Sequence, residues 1–309
     1  MTSRDMVAMV VLAAVWGASF LFLHIAAPAL GPWVVAAGRV SGAALFLLPW
    51  AHRNGEWGLL RRQFRPLLLV GVLACALPFA GMSLATRSLP AGMMSILNAT
   101  TPMWGTLIAW LWLKEPLHRA RVLGLALGLG GVVLLSLDHS STPLAGHAIH
   151  PLDVALVLAC TLSYALSVHV ARRQLRDLSP VGSTVGTLGS TGLILTLPAL
   201  WLGPPSTSPV APGHWSAVPI GAWLALAALA ILCTGLAYLV FYRLLDRIGA
   251  NQTLTVTFLI PVFGMLWGAL FLDEHITVLM GLSAGIIALG TWLANRPPST
   301  AHRIALGAE

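Results

Sequence analysis

One arginine interrupts a long apolar stretch near the beginning of the sequence. Arg39 follows Pro32 by seven residues, and no other charged side chain occurs between Pro32 and Pro49. In a helix that starts at Pro32, a rise of 1.5 Å per residue places Arg39 about 10 Å from the helix end. A charge at this depth is costly unless it meets water or a partner, which makes Arg39 a functional candidate. Its planar set of donors suits a carboxylate or a phosphate.

A structural role for Arg39 is the competing interpretation. In that case the guanidinium pairs with carbonyl groups at a helix end or with a carboxylate. The candidate carboxylate partners of Arg39 are Asp138, Asp153, Asp273 and Glu274. The sequence leaves contact with a solute or gate and structural pairing open as alternatives.

Aromatic side chains in the middle of apolar stretches suit a binding site for an apolar solute. They are Trp16, Trp104, Tyr164, Tyr238, Phe263 and Trp267. Rings of this kind wall cavities for hydrophobic or aromatic molecules, but they also dominate ordinary packed cores. Packing is therefore the alternative interpretation for each ring taken alone. Only the six rings together indicate a cavity.

Short polar side chains occur near the same positions. The candidates are Ser19, Asn98, Thr101, Gln252 and Thr257. Several of them precede Pro102 or Pro261, which remove a backbone donor and tend to kink a helix. Hydroxyl groups beside such a kink can satisfy the freed carbonyls. The sequence thus predicts a polar patch beside two kinks, with hydrogen bonding between helices as the alternative.

Two histidines, His24 and His169, are the candidates for a proton-linked step, because histidine titrates near neutral pH. No acidic residue falls in the middle of a predicted span, so a proton relay through a buried carboxylate is disfavoured. The alternative for each histidine is a place near a helix end without such a role. Facilitated exchange needs no titratable group.

Enzyme signatures do not support a catalytic function. The sequence has no HExxH pair and no GxxxxGK[ST] phosphate loop, which are the marks of zinc proteases and nucleotide-binding enzymes. His147 and His150 are three residues apart, which is a weak metal signal. We predict no catalytic residue, no metal and no cofactor.

The elements that must position these residues are transmembrane helices. Hydrophobic residues make up 57 % of the chain and charged residues 9 %, against roughly 25 % charged residues in soluble domains. The mean hydropathy is +0.85. Since about 20 apolar residues cross a bilayer, the pattern predicts an all-α integral membrane protein with ten spans. Their approximate limits are 6–26, 32–50, 66–86, 91–113, 121–137, 152–171, 180–202, 217–242, 251–272 and 277–294.

The charges predict the orientation of these spans. Nearly all of the 17 Lys and Arg residues fall in segments on one side, which the positive-inside rule assigns to the cytoplasm together with both termini. The net charge of +7 is thus a topology signal, and no nucleic-acid partner is predicted. Cys75, Cys160 and Cys233 fall within spans, where they are predicted to pack as small apolar residues.

The sequence repeats itself at one constant spacing, which pairs Pro102 with Pro261 and Glu115 with Glu274. The stretches 16–32 and 164–180 match at a somewhat shorter spacing. We predict repeats at 1–147 and 148–296, followed by a cytoplasmic tail at 297–309. Because five spans is an odd number, the two repeats must be inverted, as in secondary transporters with a midplane site and alternating access.

These segments resemble the EamA-type transporters of the drug/metabolite transporter superfamily, which have ten helices. The resemblance rests on WGASF, on GPWVVAAGRV with its Arg39, on the pair TPMWGTLIAWLWLKEPL and IPVFGMLWGALFLDEHI, and on two glycine-rich helices. It implies a central cavity formed by both halves. It also implies export of amino acids, metabolites or toxic compounds across an inner membrane.

We therefore predict a secondary transporter that exports a small organic solute from the cell. A hydrophobic or aromatic amino acid is the first candidate, since Arg39 and the aromatic rings would bind its two parts. A multidrug or other metabolite exporter is the alternative, and an intramembrane enzyme or a channel is more distant. The predicted partners are a small-molecule substrate and membrane lipid, and the oligomeric state stays open.

Overall fold

The computed structural model describes residues 2–114, 119–138, 150–203, 215, 218–249, 253 and 255–295. This part of the chain is helical and contains no strand. The predicted tail at 297–309 lies outside the described residues. The helices are α1 (Ser3–Leu30), α2 (Pro32–Asn54), α3 (Trp57–Arg62), α4 (Phe64–Ala85), α5 (Ala91–Asn98), α6 (Thr101–Leu113), α7 (Arg119–Ser136), α8 (Pro151–Gln174), α9 (Pro180–Leu202), α10 (Ile220–Ile248), α11 (Val256–Phe271) and α12 (Val278–Ala294).

Seven helices in the described part are long and apolar enough to cross a membrane. They are α1, α2, α4, α7, α8, α9 and α10. The other three predicted spans correspond to shorter apolar helices, namely the broken pair α5 and α6, then α11 and α12. The all-helical membrane architecture is thus confirmed, with seven helices of spanning length.

Helix boundaries follow the proline and glycine residues. Pro32, Pro151 and Pro180 each lie in the first turn of a helix, where a missing N–H costs nothing. Gly31 separates α1 from α2 with a φ of 78°, a conformation that residues with a Cβ rarely adopt.

The two central prolines have different surroundings. The helix is interrupted between α5 and α6, and Pro102 lies in the first turn of α6 directly after the interruption. The Thr100 hydroxyl donates to the Leu97 carbonyl oxygen at 2.7 Å, which satisfies one carbonyl at the break. Pro261 lies inside α11.

Each of the two helices α4 and α10 contains one π-helical turn. The turns cover Val72–Ala76 and Ile231–Leu236. Their first residues, Val72 and Ile231, have the same spacing as the repeated pair Pro102 and Pro261. A π-helical turn widens a helix locally and often occurs at functional sites.

Helices from the N-terminal and C-terminal parts of the chain pack against each other. α7 lies along α12, α2 along α9, and α1 along α11. A Cβ added at Gly124 would lie 2.6 Å from the Gly290 carbonyl oxygen, so the α7–α12 contact requires glycine. Gly281 and Gly285 in α12 are four residues apart, as are Gly124 and Gly128 in α7. A Cβ added at Gly281 or Gly285 has nothing within 4 Å, so this pair makes no close contact within the described chain.

One large apolar core joins the two parts, because its buried residues come from α1, α2, α4, α5, α7, α8, α9, α10, α11 and α12. Cys75, Cys160 and Cys233 are free and buried, as predicted for small packing residues. Many large apolar side chains are exposed on the outside, among them Leu152, Leu197 and Trp201. In a bilayer this surface faces lipid.

Candidate functional site

Arg39 is half-buried in α2, inside the bundle. Its Nε atom donates to the Thr234 hydroxyl at 3.0 Å. The guanidinium carbon lies 4.0 Å from the centre of the Phe79 ring, a cation–π contact. These two contacts fix the side chain from α4 and α10, and sequence reasoning identified neither partner.

The outer edge of the Arg39 guanidinium has no protein partner in the described part of the chain. Nη1 and Nη2 form neither a hydrogen bond nor an ion pair with any described residue. They are not among the fully buried polar atoms that lack a partner, so they keep accessible surface. Two parallel N–H donors with this geometry match a carboxylate.

The Thr234 hydroxyl can serve Arg39 because of the π-helical turn in α10. It donates to the Leu229 carbonyl oxygen, five residues earlier, at 2.9 Å. With its proton used in this way, the hydroxyl oxygen accepts from Arg39. This bond to the carbonyl five residues earlier orients the hydroxyl group within the π-helical turn.

Two predicted aromatic residues, Tyr164 and Tyr238, lie close to Arg39. Tyr238 follows Thr234, the hydrogen-bond partner of Arg39, by four residues in α10, which is about one helical turn. The Tyr164 ring meets the Phe79 ring edge-on at a centroid distance of 6.5 Å. Both tyrosines are half-buried.

The repeat relates the residues around Arg39 to one another. The spacing that pairs Pro102 with Pro261 also pairs Phe79 with Tyr238 and Cys75 with Thr234. Each pair occupies equivalent places at or just after the two π-helical turns. Arg39 therefore lies between two matching helix segments, one from each part of the chain.

Trp16 extends the aromatic cluster along α1. Its ring lies 5.5 Å from the Phe241 ring, and Phe241 is next to Tyr242, which stacks on Tyr238 at 6.0 Å. The predicted candidates Trp16 and Tyr238 thus belong to one continuous aromatic cluster. Phe241 and Tyr242 were not predicted, although their spacing from Tyr238 places them on one side of α10.

The predicted aromatic residues of α11 pack against α1. The Trp267 indole N–H donates to the Ala14 carbonyl oxygen at 2.9 Å, and Phe263 stacks on Trp267 at 6.2 Å. A Cβ added at Gly17 would lie 2.7 Å from the Phe263 Cβ. These contacts show helix packing, which was the alternative for both rings.

The predicted residues of α5 and α6 form local contacts. Trp104 donates to the Thr161 hydroxyl at 3.0 Å and lines an apolar cavity of about 80 Å³ that does not include Arg39. Thr101 donates to the Asn98 carbonyl oxygen at 2.8 Å. None of these three candidates is brought to Arg39 by a described contact.

Three polar candidates remain. The Ser19 hydroxyl is buried without a hydrogen-bond partner in the described part; it lies beside the Cys233 thiol, which itself donates to the Val15 carbonyl oxygen. Thr257 is half-buried in α11. Gln252 lies outside the described residues.

Both histidines contact backbone carbonyl groups. The His24 ring nitrogens lie 2.8 Å from the Phe20 carbonyl oxygen and 2.8 Å from that of Leu89, so the ring bridges α1 to the turn before α5. His169 contacts the Ala165 carbonyl oxygen of its own helix at 3.0 Å. These are structural contacts, and a proton-linked role stays a prediction.

Acidic side chains in the described part lie at or near helix ends. Asp5 pairs with Thr2 and Arg247, and Glu274 accepts from the Ala91 and Gly92 amides. Four others each accept from one side chain, namely Glu56 from Ser179, Asp138 from Thr277, Asp153 from Ser88 and Asp177 from Gln63. Asp246 and Asp273 are exposed. Arg39 forms no ion pair with any of these described carboxylates, and its hydrogen bond goes to Thr234 instead.

Glu274 has a structural function that sequence reasoning did not identify. Its side chain is 7 % exposed, and its oxygens accept from the Ala91 and Gly92 amides at 2.5 and 3.0 Å. A carboxylate at a helix N-terminus satisfies free N–H groups and the helix dipole. The acidic residue of one repeat motif therefore caps α5, which belongs to the other part of the chain. The sequence signal for this cap was the match of Glu274 with Glu115 at the constant spacing of the repeat.

The described residues contain no group of three or more metal-ligating side chains. A G-x-S-x-G pattern does occur at 281–285, but it lies inside α12, where Ser283 is fully buried. Hydrolases of this signature present the serine on an exposed turn between a strand and a helix. This pattern therefore supplies no nucleophile.

Comparison with known proteins identifies the family. The EamA-like transporter family matches residues 4–137 and again residues 152–296. The uncharacterized transporter YvbV of Bacillus subtilis (strain 168) is 28 % identical over 304 residues, which cover 94 % of this chain and 90 % of the relative. The threonine/homoserine exporter RhtA of Escherichia coli (strain K12) is 26 % identical over 285 residues, covering 91 % and 87 %.

A solved crystal structure has the same fold. It superposes with a TM-score of 0.61 at 19 % identity and covers 96 % of this chain and 97 % of that chain. The double family match agrees with the resemblance inferred from the sequence motifs. The chain belongs to the EamA-like transporter family and is a multi-pass membrane transporter, not an enzyme.

Proposed function

We propose that this transporter exports a small organic solute that combines a carboxylate with an apolar body. The solute binds at Arg39, and export proceeds by alternating access between two inverted halves in a cell inner membrane. The substrate itself and membrane lipid are the partners of the protein in this proposal. No cofactor takes part.

The observation that carries this proposal is the unpaired outer edge of Arg39. A charged side chain inside a membrane protein is costly, and such residues commonly mark a substrate or ion pathway. Thr234 and Phe79 hold the guanidinium at 3.0 and 4.0 Å, while Nη1 and Nη2 have no described partner. The site is thus prepared for two parallel hydrogen bonds to a carboxylate.

The rings around Arg39 suit the apolar body of the solute. Phe79 contacts the guanidinium and the Tyr164 ring meets the Phe79 ring. A second set of rings runs from Tyr238 through Tyr242 and Phe241 to Trp16. A hydrophobic or aromatic amino acid is one such solute. The name of the relative RhtA, a threonine/homoserine exporter, supports export of an amino acid, whereas a lipophilic drug is the alternative.

The internal repeat supports the inverted arrangement. The family matches the chain twice, and the two π-helical turns start at positions that the repeat makes equivalent. In this proposal ten helical spans form two halves, 1–147 and 148–296, with both termini in the cytoplasm. The substrate then lies at the interface of the halves, as in other inverted-repeat transporters.

Counterflow in proteoliposomes tests the proposal. Vesicles are loaded with a panel of unlabelled amino acids, organic acids or lipophilic cations, and uptake of the labelled form is measured. We expect saturable exchange of carboxylate-bearing aromatic solutes, lost by at least tenfold in R39A. R39K should retain only part of the activity, because it keeps the charge but loses the paired donors.

The matched control is R87A. Arg87 is exposed in the turn after α4, and its removal should leave exchange unchanged. All variants must have the elution profile and melting temperature of the wild type in detergent. Two results would reject the carboxylate site and favour a drug exporter. One is exchange of lipophilic cations only, and the other is carboxylate exchange at the wild-type rate in R39A.

A further inference from the structure

We infer that the Arg39 site selects solutes with a net negative charge, so that an aromatic carboxylate without an ammonium group binds more tightly than the corresponding amino acid. This inference rests on the proposed function, because it concerns the same site. It narrows the substrate class from carboxylate-bearing solutes in general to monoanions.

The first argument is the distribution of charge in the described part of the chain. Every described carboxylate lies at or near a helix end, and the buried ones, Asp5, Asp138 and Glu274, already have partners there. None contacts Arg39. A site for a zwitterion needs a receptor for the ammonium group as well as one for the carboxylate, and a negative side chain would be the strongest such receptor. Here the described site offers a single positive charge.

Two groups beside Arg39 that could receive an ammonium group are already occupied. The Thr234 hydroxyl oxygen accepts from Arg39 at 3.0 Å and donates to the Leu229 carbonyl oxygen at 2.9 Å. The guanidinium itself covers one face of the Phe79 ring, which would otherwise attract an ammonium group. The hydroxyls of Tyr164 and Tyr238 remain; each can donate to an anionic oxygen atom, whereas to an ammonium group each can offer only a neutral acceptor.

The second argument is the position that an ammonium group would take. In an α-amino acid the ammonium nitrogen is bonded to the carbon next to the carboxylate. When the carboxylate binds Nη1 and Nη2, the ammonium group therefore lies only a few ångströms from the guanidinium. Repulsion between like charges is strong where water is scarce, and desolvation of the ammonium group adds to this cost.

A monoanion has neither cost. It neutralises the site, since the Arg39 charge has no described counter-ion. A hydroxyl group in place of the ammonium group would be compatible with the tyrosine hydroxyls as donors or acceptors. The expected order of affinity is therefore carboxylate or hydroxycarboxylate first, then zwitterion, then cation.

Four ligands with the same aromatic body test this order. They are 3-phenylpropanoate, 2-hydroxy-3-phenylpropanoate, phenylalanine and phenethylamine. Each is titrated calorimetrically into the full-length protein in nanodiscs at pH 7.5, where all the carboxylates are ionised. We expect a Kd for the two monoanions at least tenfold lower than for phenylalanine, and no measurable binding of phenethylamine. R39A should abolish the difference, whereas R87A should preserve it.

Equal or tighter binding of phenylalanine would overturn the inference, as would a series in which no member binds. The proposed function would still stand in either case if counterflow of some other carboxylate remains dependent on Arg39. Preferential binding of phenethylamine would reject both the inference and the proposed carboxylate site. The two ideas are thus tested by separate readouts.

Discussion

At the scale of single residues, the most informative contact is the bond between Arg39 and Thr234. The hydroxyl fixes Nε at 3.0 Å, so rotation of the guanidinium about its stem is restricted. A fixed guanidinium presents Nη1 and Nη2 in one plane and loses less entropy when a ligand binds. Thr234 is in this view a positioning residue that acts through Arg39.

Replacement of Thr234 tests this role. T234V keeps the shape of the side chain but removes the acceptor for Nε, and a hydrogen bond to a charged group is worth about 1.5–3 kcal/mol. We expect the KM for exchange to rise about tenfold or more, and T234S to restore most of it. Exchange kinetics in proteoliposomes measure both. An unchanged KM in T234V, with Arg39 still essential, would show that Phe79 alone positions the guanidinium.

Sequence reasoning found Arg39 because a charge in a long apolar stretch is rare. It missed Thr234, which lies far away along the chain, because a single sequence carries no distance information. Extending the repeat would have helped, since its constant spacing pairs Phe79 with Tyr238 and Cys75 with Thr234. The function of each deep tryptophan could not be predicted, because an indole N–H finds a backbone or hydroxyl acceptor only when the helices are packed.

At the scale of elements, the cap of α5 by Glu274 shows how one part of the chain supports the other. Gly268 makes this contact feasible, because an added Cβ would lie 2.2 Å from the Glu274 Oε2 atom. The helix boundaries were predictable from charges, prolines and glycines. The cap was not, since an acidic residue after an apolar helix usually faces water.

G268A should therefore destabilise the protein. The new methyl group displaces the Glu274 carboxylate, and the buried Ala91 and Gly92 amides lose their acceptor at about 1–3 kcal/mol for each unsatisfied group. We expect a clearly lower melting temperature in detergent, together with reduced exchange. E274A should have the same effect without the steric change.

G281A is the matched control for the glycine substitution. Gly281 also lies in a helix, but an added Cβ there has nothing within 4 Å. Alanine is a better helix former than glycine, so the melting temperature should stay the same or rise slightly. A similar loss of stability in G281A and G268A would mean that the Glu274 cap is not the cause.

At the scale of the whole molecule, the packing of α7 on α12, α2 on α9 and α1 on α11 joins the two parts of the chain. The repeat in the sequence predicted that equivalent helices exist in both parts. It did not predict which faces meet, because that depends on shape, as at Gly124 and Gly290, where backbones nearly touch. If the protein works by the proposed alternating access, rocking of one part against the other has to rearrange some of these contacts.

Two exposed residues, Arg87 and Asp246, can report whether the two repeats are inverted. Arg87 and Asp246 are paired by the constant spacing of the repeat and occupy equivalent places near the ends of α4 and α10. Both are exposed. If the repeats are inverted, these residues lie on opposite faces of the membrane, with Asp246 in the cytoplasm because positively charged segments stay inside.

Cysteine labelling tests the inversion directly. R87C should react with a membrane-impermeant maleimide in intact cells, and D246C only after permeabilisation. The native residues Cys75, Cys160 and Cys233 are buried, so the wild type should give little background. Labelling of both variants from the same side would reject the inverted arrangement, and with it the midplane interface at which Arg39 is proposed to bind substrate. Opposite labelling with D246C outside would keep the inversion but reverse the predicted orientation of both termini.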